Sequence, residues 1–250
     1  MGGNMPDDMV DELSILNSFK KYFEIVSANT DELLEEVFKL RYQVYCLETG
    51  FENPLEHPDG LERDADDDYS VHYLIKHIAT QKYIATTRLI LYEPGRQLPV
   101  EKHCEIESTE KIDNLPFEQR AEISRFCISK DFKRRKGESG TLEGIDREDV
   151  DRYTADERRT FPHLILGLFA CLVDLSRSNN INYWYCAMEP ALFRYLDSLG
   201  IHFNRMGPLV EYHGKRQPGG ALVEDILAGV LNKNIQIWNM FTNAGRYWGN

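Results

Sequence analysis

Between Ala121 and Ile128 the chain reads Ala-Glu-Ile-Ser-Arg-Phe-Cys-Ile, a run with the apolar content of a buried strand into which Glu122 and Arg125 are set. Taking an unpaired carboxylate or guanidinium out of water costs several kcal/mol, comparable with the net stability of a small domain. Such charges persist only when paired and hydrogen-bonded, so the fold must bring partners to this strand. Strict alternation puts Glu122, Ser124 and Phe126 on one face and Arg125 on the other. A β-bulge would re-aim one of them, and bulges concentrate near functional sites.

Partners of both signs occur upstream. Asn29 and Glu32 form a capping box that predicts a helix to about Tyr45. On it Leu34, Phe38, Arg41 and Tyr45 follow spacings that share one face, so Arg41 interrupts an apolar stripe. Its head either reaches solvent over a packed stem or meets a buried carboxylate. Residues 72–79 and 83–92 read as two strands joined by a polar turn, and Arg88 shares a face with Thr86 and Ile90. Pairing of neighbouring strands would set Arg88 opposite Glu122 as a structural ion pair. The acidic run from Glu62 to Asp68 lacks the spacing of a calcium loop and is a solvated loop by default. The alternative is a set of carboxylates that recognises a cationic substrate.

The remaining pattern is that of one mixed α/β (α+β) domain spanning residues 1–250. Residues 9–23 form a strand or short helix, and 93–119 are irregular. Residues 130–160 are polar and include Lys133, Arg134, Arg135 and Lys136 followed by three glycines, which predicts a long mobile loop at about 133–160. A helix follows from an N-cap at Thr160 to about Asn179, with Pro162 in its first turn. A strand at 182–188, a helix at 190–199, a strand at 206–213 and a last helix at 220–231 complete the order.

Composition excludes several classes. A net charge of −12 and a pI near 5.1 oppose binding to nucleic-acid backbones, so no nucleic acid is expected as partner. The five cysteines are scattered without a CxxC pair, and the histidines show no zinc spacing, which predicts no disulfide framework, no metal and a reducing cytoplasm. Cys127 and Cys171 have no histidine at a readable catalytic distance, so a thiol nucleophile is disfavoured. The acidic N-terminus is not a signal peptide, and the longest apolar run, 161–173, is too short to span a bilayer.

Taken together, Leu40-Arg41-Tyr42-Gln43-Val44-Tyr45, Phe51, Asp64-x-x-Asp67, His72-Tyr73-Leu74-Ile75, Thr87-Arg88-Leu89 and Glu122-x-Ser124-Arg125-Phe126 stand in the order and spacing of the acyl-homoserine-lactone autoinducer synthases. The resemblance covers about residues 20–213. It implies a GNAT-like three-layer sandwich, a central mixed twisted sheet with helices on both faces. It also implies acyl transfer from acyl carrier protein to a small-molecule amine. Tyr45 stands where those synthases favour phenylalanine and Phe51 where they favour tryptophan, and the insertion at 133–160 is longer than theirs. The chain more closely resembles the PEP-CTERM/exosortase system-associated acyltransferases and the N-acyl amino acid synthases. The acceptor therefore stays open between an amino acid and S-adenosylmethionine, and a catalytically silent acyl or carrier-protein binding module is the reading from another class.

The resemblance places Glu122, Ser124, Arg125 and Arg41 in catalytic positions, and Tyr45, Phe51, Asp64, Asp67, Arg88, Phe126 and Cys127 around the substrates. N-acylation itself needs a neutral amine, an electrophilic thioester and donors for the tetrahedral oxyanion. Glu122 is the candidate base, since burial would raise its pKa toward a useful range. Backbone N–H groups at a bulge near Phe126 and Cys127 are the candidate oxyanion donors. Arg134 to Gly140 only partly fits a pyrophosphate-binding turn, so acyl carrier protein is favoured over acyl-CoA as donor, with no tightly bound cofactor. Lys133 to Lys136, with Arg158 and Arg159, are the candidate basic patch for docking the acidic carrier protein, and a solvated loop is the alternative. An acyl tunnel is expected at Phe126, Leu168, Trp184 and Phe193.

Overall fold

The computed structural model describes residues 14–107, 112, 114–130, 155–160, 162–211 and 214–247. The chain opens with α1 (Ser14–Tyr22), whose Leu16 and Phe19 are buried, and turns directly into β1 (Phe23–Ser27). The next helix, α2 (Asp31–Arg41), starts one residue later than the Asn29 box predicts. Thr30 is extended and its Oγ1 accepts from Leu33 N at 3.4 Å, so the hydroxyl and not the amide is the cap. At Arg41 the helix widens into a π-helix, Tyr42–Glu48, in which Thr49 N reaches back five residues to Val44 O at 3.0 Å. Such π segments recur at functional sites.

The hairpin is present as β2 (Ser70–His77) and β3 (Tyr83–Leu91), followed by the short helix α3 (Pro99–His103) and by β4 (Arg120–Ile128). The polar stretch at 130–160 ends in a helix, α4 (Ala155–Thr160), and the predicted Thr160 cap is instead its last residue. Pro162 cannot donate into a continuous helix, and a separate helix, α5 (His163–Ser178), begins after it. Then come β5 (Tyr183–Met188), α6 (Pro190–Ser198), β6 (Asn204–Arg205), β7 (Val210–Glu211), β8 (Lys215–Leu222), α7 (Val223–Lys233) and α8 (Ile235–Thr242). The single strand expected at 206–213 is thus two short ones, with residues 212–213 outside the described set. β1, α3, β8 and α8 are additions to the expected order, and the helix expected at 220–231 starts at Val223, not Gly220.

Among the described residues the strand order is β1-β2-β3-β4-β5-β8-β6, with β7 also on β8. Only β4 and β5 run parallel, so the sheet is mixed. One face carries Tyr73, Ile75, Ala85, Leu89, Ala121 and Trp184 against Leu164, Leu168 and Leu172 of α5, with α1, α6, α7 and α8 completing the main core. Each such large side chain contributes roughly 1.5–3 kcal/mol on burial. Trp184 also donates its indole N–H to Ser176 Oγ at 2.7 Å, so its one polar atom is not lost to water unpaired.

The opposite face is divided. At one end Leu74 and Cys127 pack under Val37, Leu40 and Val44. At the other, Ile90, Tyr183 and Tyr185 pack under Leu98, Val100 and Cys104 around α3. Between these two apolar clusters the strand register sets His72 beside Arg88 and Arg88 beside Ser124, a polar row across β2, β3 and β4.

Candidate active site

Two local irregularities open a cavity on that divided face. First, the β3–β4 register shifts between Thr86 and Arg88, which pair with Cys127 and Ser124, so β4 carries one extra residue there. Arg125 takes up the slack at φ 47°, a bulge that aims both Ser124 and Arg125 at the polar row while Phe126 turns back to Phe169 at 5.5 Å. The alternation that separates Arg125 from Glu122 is broken at this residue. Second, β4 and β5 pair only from Arg120–Ile123 against Tyr183–Cys186. Beyond that row the two parallel strands part, and a cavity of about 430 Å³ lies between them.

Glu122, Ser124, Arg125, Phe126, Tyr45, Phe51, Asp64 and Arg88 all border this cavity. Glu122 is 4 % exposed, and its Oε2 accepts from Val100 N at 2.8 Å. Burial pushes its carboxyl up to about 8, against the opposing pull of the Val100 N–H and Arg88. It is not paired opposite Arg88 as expected. Arg88 faces Ser124, to whose Oγ its Nη2 donates at 3.0 Å, and Glu122 faces Ile90. The bulge between Ser124 and Cys127 is what offsets the register.

Arg41 stands elsewhere. It is fully buried, with Nε 2.5 Å from Glu62 Oε2 and Nη1 2.6 Å from Asp67 Oδ1, and it does not border the cavity. Where a catalytic position was expected, it braces these two carboxylates behind the cavity wall. Asp67 shares that position, held also by Arg88 Nη1 at 2.7 Å. The Cys127 side chain is packed among Val37, Leu40 and Leu74 and does not border the cavity. Lys133, Arg134, Arg135 and Lys136 lie outside the described residues.

The acidic run is solvated only in part: Asp68 is exposed, whereas Glu62 and Asp67 are turned inward. Glu62, which no sequence signal distinguishes from its acidic neighbours, is 1 % exposed and bonds both Arg41 and Arg125. Asp64 bridges Arg88 at 2.6 Å and Arg125 at 3.0 Å, and Glu52 reaches Arg125 at 3.2 Å. Burial alone would raise Glu62, Asp64 and Asp67, but the guanidiniums outweigh it and hold all three below the usual carboxylate range. These carboxylates are engaged by protein cations, which makes them the frame of the site. Among the described residues no group of three or more side chains is arranged to hold a metal ion.

The apolar wall comes from Phe169, Leu192, Leu196 and Phe203, with Cys186, Ala187 and Met188 of β5. Of the expected tunnel residues only Phe126 borders it; Leu168, Trp184 and Phe193 are within the main core. All five cysteines are buried and outside any disulfide, and burial pushes the Cys171 and Cys186 thiols up, away from reactivity. Behind the ion cluster a second cavity of about 510 Å³ is bordered by Asp64, Asp67 and His72. Burial, then Arg41, pushes His72 down to about 4, so its imidazole is neutral.

A mixed sheet whose two central parallel strands part over a bulge, with helices on both faces, is a decisive arrangement. The chain has a GNAT-like fold. Residues 40–143 match the acetyltransferase (GNAT) domain family. The chain is similar to the CoA-dependent acyl-homoserine lactone synthase BjaI, solved with SAM and isopentyl-CoA, at 18% identity and TM-score 0.54 over 85% of this chain and 89% of that one. It is also similar to FeeM, an N-acyl amino acid synthase from uncultured soil microbes, at 11% identity and TM-score 0.51 over 84% and 96%. TofI, solved with an inhibitor and MTA, aligns at 15% identity and TM-score 0.54 over 86% and 99%. No curated protein sequence matches the chain. Within the GNAT fold the charged residues that frame the cavity, from Arg41 to Arg125, fall inside the matched segment. No helix among the described residues is long and apolar enough to cross a membrane.

Proposed function

We propose that the chain is an N-acyltransferase that moves an acyl chain from a thioester donor to the amine of an amino acid or related small molecule. The observation that carries this reading is a buried carboxyl, Glu122, raised to about 8 at the edge of a cavity between the parting strands. A group poised there takes the proton of an ammonium or of an intervening water near neutral pH. The freed amine attacks the thioester carbonyl, a C–N bond forms and the C–S bond breaks. The second proton shed by the nitrogen goes to the leaving thiolate, and the one taken by Glu122 returns to solvent.

Ser124 and Arg125 border the same cavity as this carboxyl, and the bulge at Arg125 takes backbone out of the regular β3–β4 ladder there, which suits it to the developing oxyanion. Tyr45 and Phe51 supply aromatic surface on the acceptor side, and Phe126, Phe169 and Leu196 apolar surface for the acyl chain. For the donor we favour acyl carrier protein, on the partial fit of the sequence after Lys133 to a pyrophosphate turn. BjaI, described as CoA-dependent, keeps acyl-CoA as the second donor. Cysteines outside any disulfide fit a cytoplasmic location.

Mass spectrometry of lipid extracts from cells expressing the chain reads the product directly. An acyl amino acid is expected; an acyl-homoserine lactone would point to SAM as acceptor, and no new lipid to a binding module. With purified protein, kcat/KM should rise with pH to a plateau above about 8, the pH at which Glu122 is ionised. Glu122→Gln should lose turnover by roughly 10²–10⁴-fold while keeping its fold. Full activity in that variant removes Glu122 from the mechanism.

A further inference from the structure

Three guanidiniums border the cavity between β4 and β5, and they are not equivalent. Arg88 is enclosed, its Nη1 held by Asp64 and Asp67 at 2.6 Å and 2.7 Å. Arg125 is divided among Glu52, Glu62 and Asp64. Both are consumed in holding the frame together. Arg216 stands on β8 at the far wall, beyond Gln217, which pairs with Met188 near the open end of β5. Its Nη1 donates to Glu189 Oε1 at 2.7 Å.

That pair differs in kind from the buried ones. The Glu189 side chain is 55% exposed, so water screens its attraction and readily replaces it. Arg216 itself is only 16% exposed and lies over the Phe51 ring, 5.5 Å from the centroid, which keeps its flat fork oriented while leaving its in-plane donors to other partners. Glu189 is also the N-cap residue of α6, with its carbonyl accepting from Leu192 N at 2.9 Å, so the positive end of that helix adds to the same wall. A cation half-shielded by an aromatic ring, lightly tied to an exposed carboxylate at a cavity wall, is suited to exchange that carboxylate for another anion.

We infer that Arg216 is the anion-receiving residue of the cleft, releasing Glu189 to bind the anionic oxygens of a substrate bidentately. The inference rests on the acyl-transfer reading for calling the ligand a substrate. Two substrate groups share this chemistry, the carboxylate of an amino acid acceptor and a phosphate of the donor. Arg216 lies outside every motif that carried the family resemblance, so it adds a determinant of which substrate is accepted.

The test measures equilibrium binding by calorimetry on the full-length protein with two matched pairs of probes. One pair is N-dodecanoyl-glycine and N-dodecanoyl-glycinamide; the other is dodecanoyl-CoA and the dodecanoyl thioester of N-acetylcysteamine, which has no phosphate. In the wild type at least one charged probe should bind about tenfold or more tightly than its neutral counterpart, and Arg216→Met should abolish that difference. The pair that shows it identifies carboxylate or phosphate. Glu189→Gln, at an exposed side chain, should tighten the same charged probe by removing its competitor, and Arg216→Lys should recover only part of the loss. Equal weakening of charged and neutral probes in Arg216→Met, or no preference for either charged probe in the wild type, overturns the inference. Product formation separates this from the wider reading. Arg216-dependent binding without transfer leaves the anion site standing and removes acyl transfer, whereas transfer indifferent to Arg216 removes the anion site alone.

Discussion

Arg41 acts on the site without touching it. Its guanidinium is shared between Glu62 and Asp67, both themselves 7% exposed or less at the side chain, and it stacks on Phe38 at 5.4 Å. Removing one partner of a buried ion cluster leaves its carboxylates undercompensated in a poorly solvated site, at a cost of about 3–5 kcal/mol. Arg41→Met should therefore lower unfolding stability by about that amount, while kcat of the folded fraction changes little. Denaturant unfolding and turnover at a temperature well below the melting point read the two effects separately. Undiminished stability with lost turnover would return Arg41 to the catalytic set. At this scale much of the site was legible: an arginine in a helical apolar stripe and a glutamate in a buried strand are each costly enough to demand a partner. Glu62 was not, because in an acidic run every carboxylate looks alike until the fold decides which one is turned inward.

The elements show a sharper boundary between what pattern reveals and what it hides. Period-two alternation found β2, β3, β4 and β5 with small errors at their ends, because each has a buried face. It missed β8, whose Lys-Arg-Gln-Pro-Gly-Gly-Ala-Leu lacks almost every strand signal. The reason is packing. A Cβ on Gly219 would lie 2.6 Å from Phe193 Cζ, and one on Gly220 would lie 2.2 Å from Tyr183 Oη, so the strand is glycine where neighbouring rings cross it. Pro218 has no N–H to donate, yet its carbonyl accepts from Met206 N at 3.0 Å, which keeps the ladder useful on its other side. The π-helix was equally hidden, since residue spacing cannot show a widened turn, and the bulge at Arg125 was legible only as a condition that alternation failed to meet. Gly219→Ala and Gly220→Ala should each destabilise the fold by about 1–3 kcal/mol through overpacking, lowering the melting temperature by several degrees. Gly219→Ala should in addition weaken binding of the acyl chain, because Phe193 sits on the helix whose Leu192 and Leu196 border the cavity. Unchanged melting temperatures in both would mean that the rings move aside freely.

For the molecule as a whole, two sets of buried carboxyls pull the pH dependence of stability in opposite directions. Glu62, Asp64 and Asp67 are held below their ordinary values of 4.5, 3.8 and 3.8, so the unfolded chain takes up protons before the folded one does. Their contribution is complete above those ordinary values and is lost as pH falls below them. Glu122 is raised from 4.5 to about 8, so between those limits the folded protein keeps a proton that the unfolded chain has released. Its contribution is complete below 4.5 and is lost as pH rises toward 8. His72, lowered from 6.5 to about 4, adds a contribution that is complete above 6.5 and lost as pH falls toward 4, so it opposes Glu122 between about 4.5 and 6.5. Together these groups predict a broad maximum from about pH 5 to 6.5, with an acid limb owed to the arginine-bound carboxylates and His72 and a decline above it owed to Glu122. Glu122's own share, from 4.5 to about 8, is on the order of 3–5 kcal/mol. The net charge of −12 also disfavours the compact state as pH rises above the pI near 5.1, so the shape of the curve alone does not identify its source. Glu122→Gln separates them, since it removes one titrating group and leaves the general repulsion in place. Its melting temperature, followed from about pH 3 to about pH 9, should match the acid limb of the wild type below about 4, rise relative to the wild type between about 5 and 8, and lose most of the decline toward 8. Curves that run parallel through that interval would show that Glu122 ionises freely in the folded protein, which would remove its elevated pKa and, with it, the basis for assigning it the proton in acyl transfer.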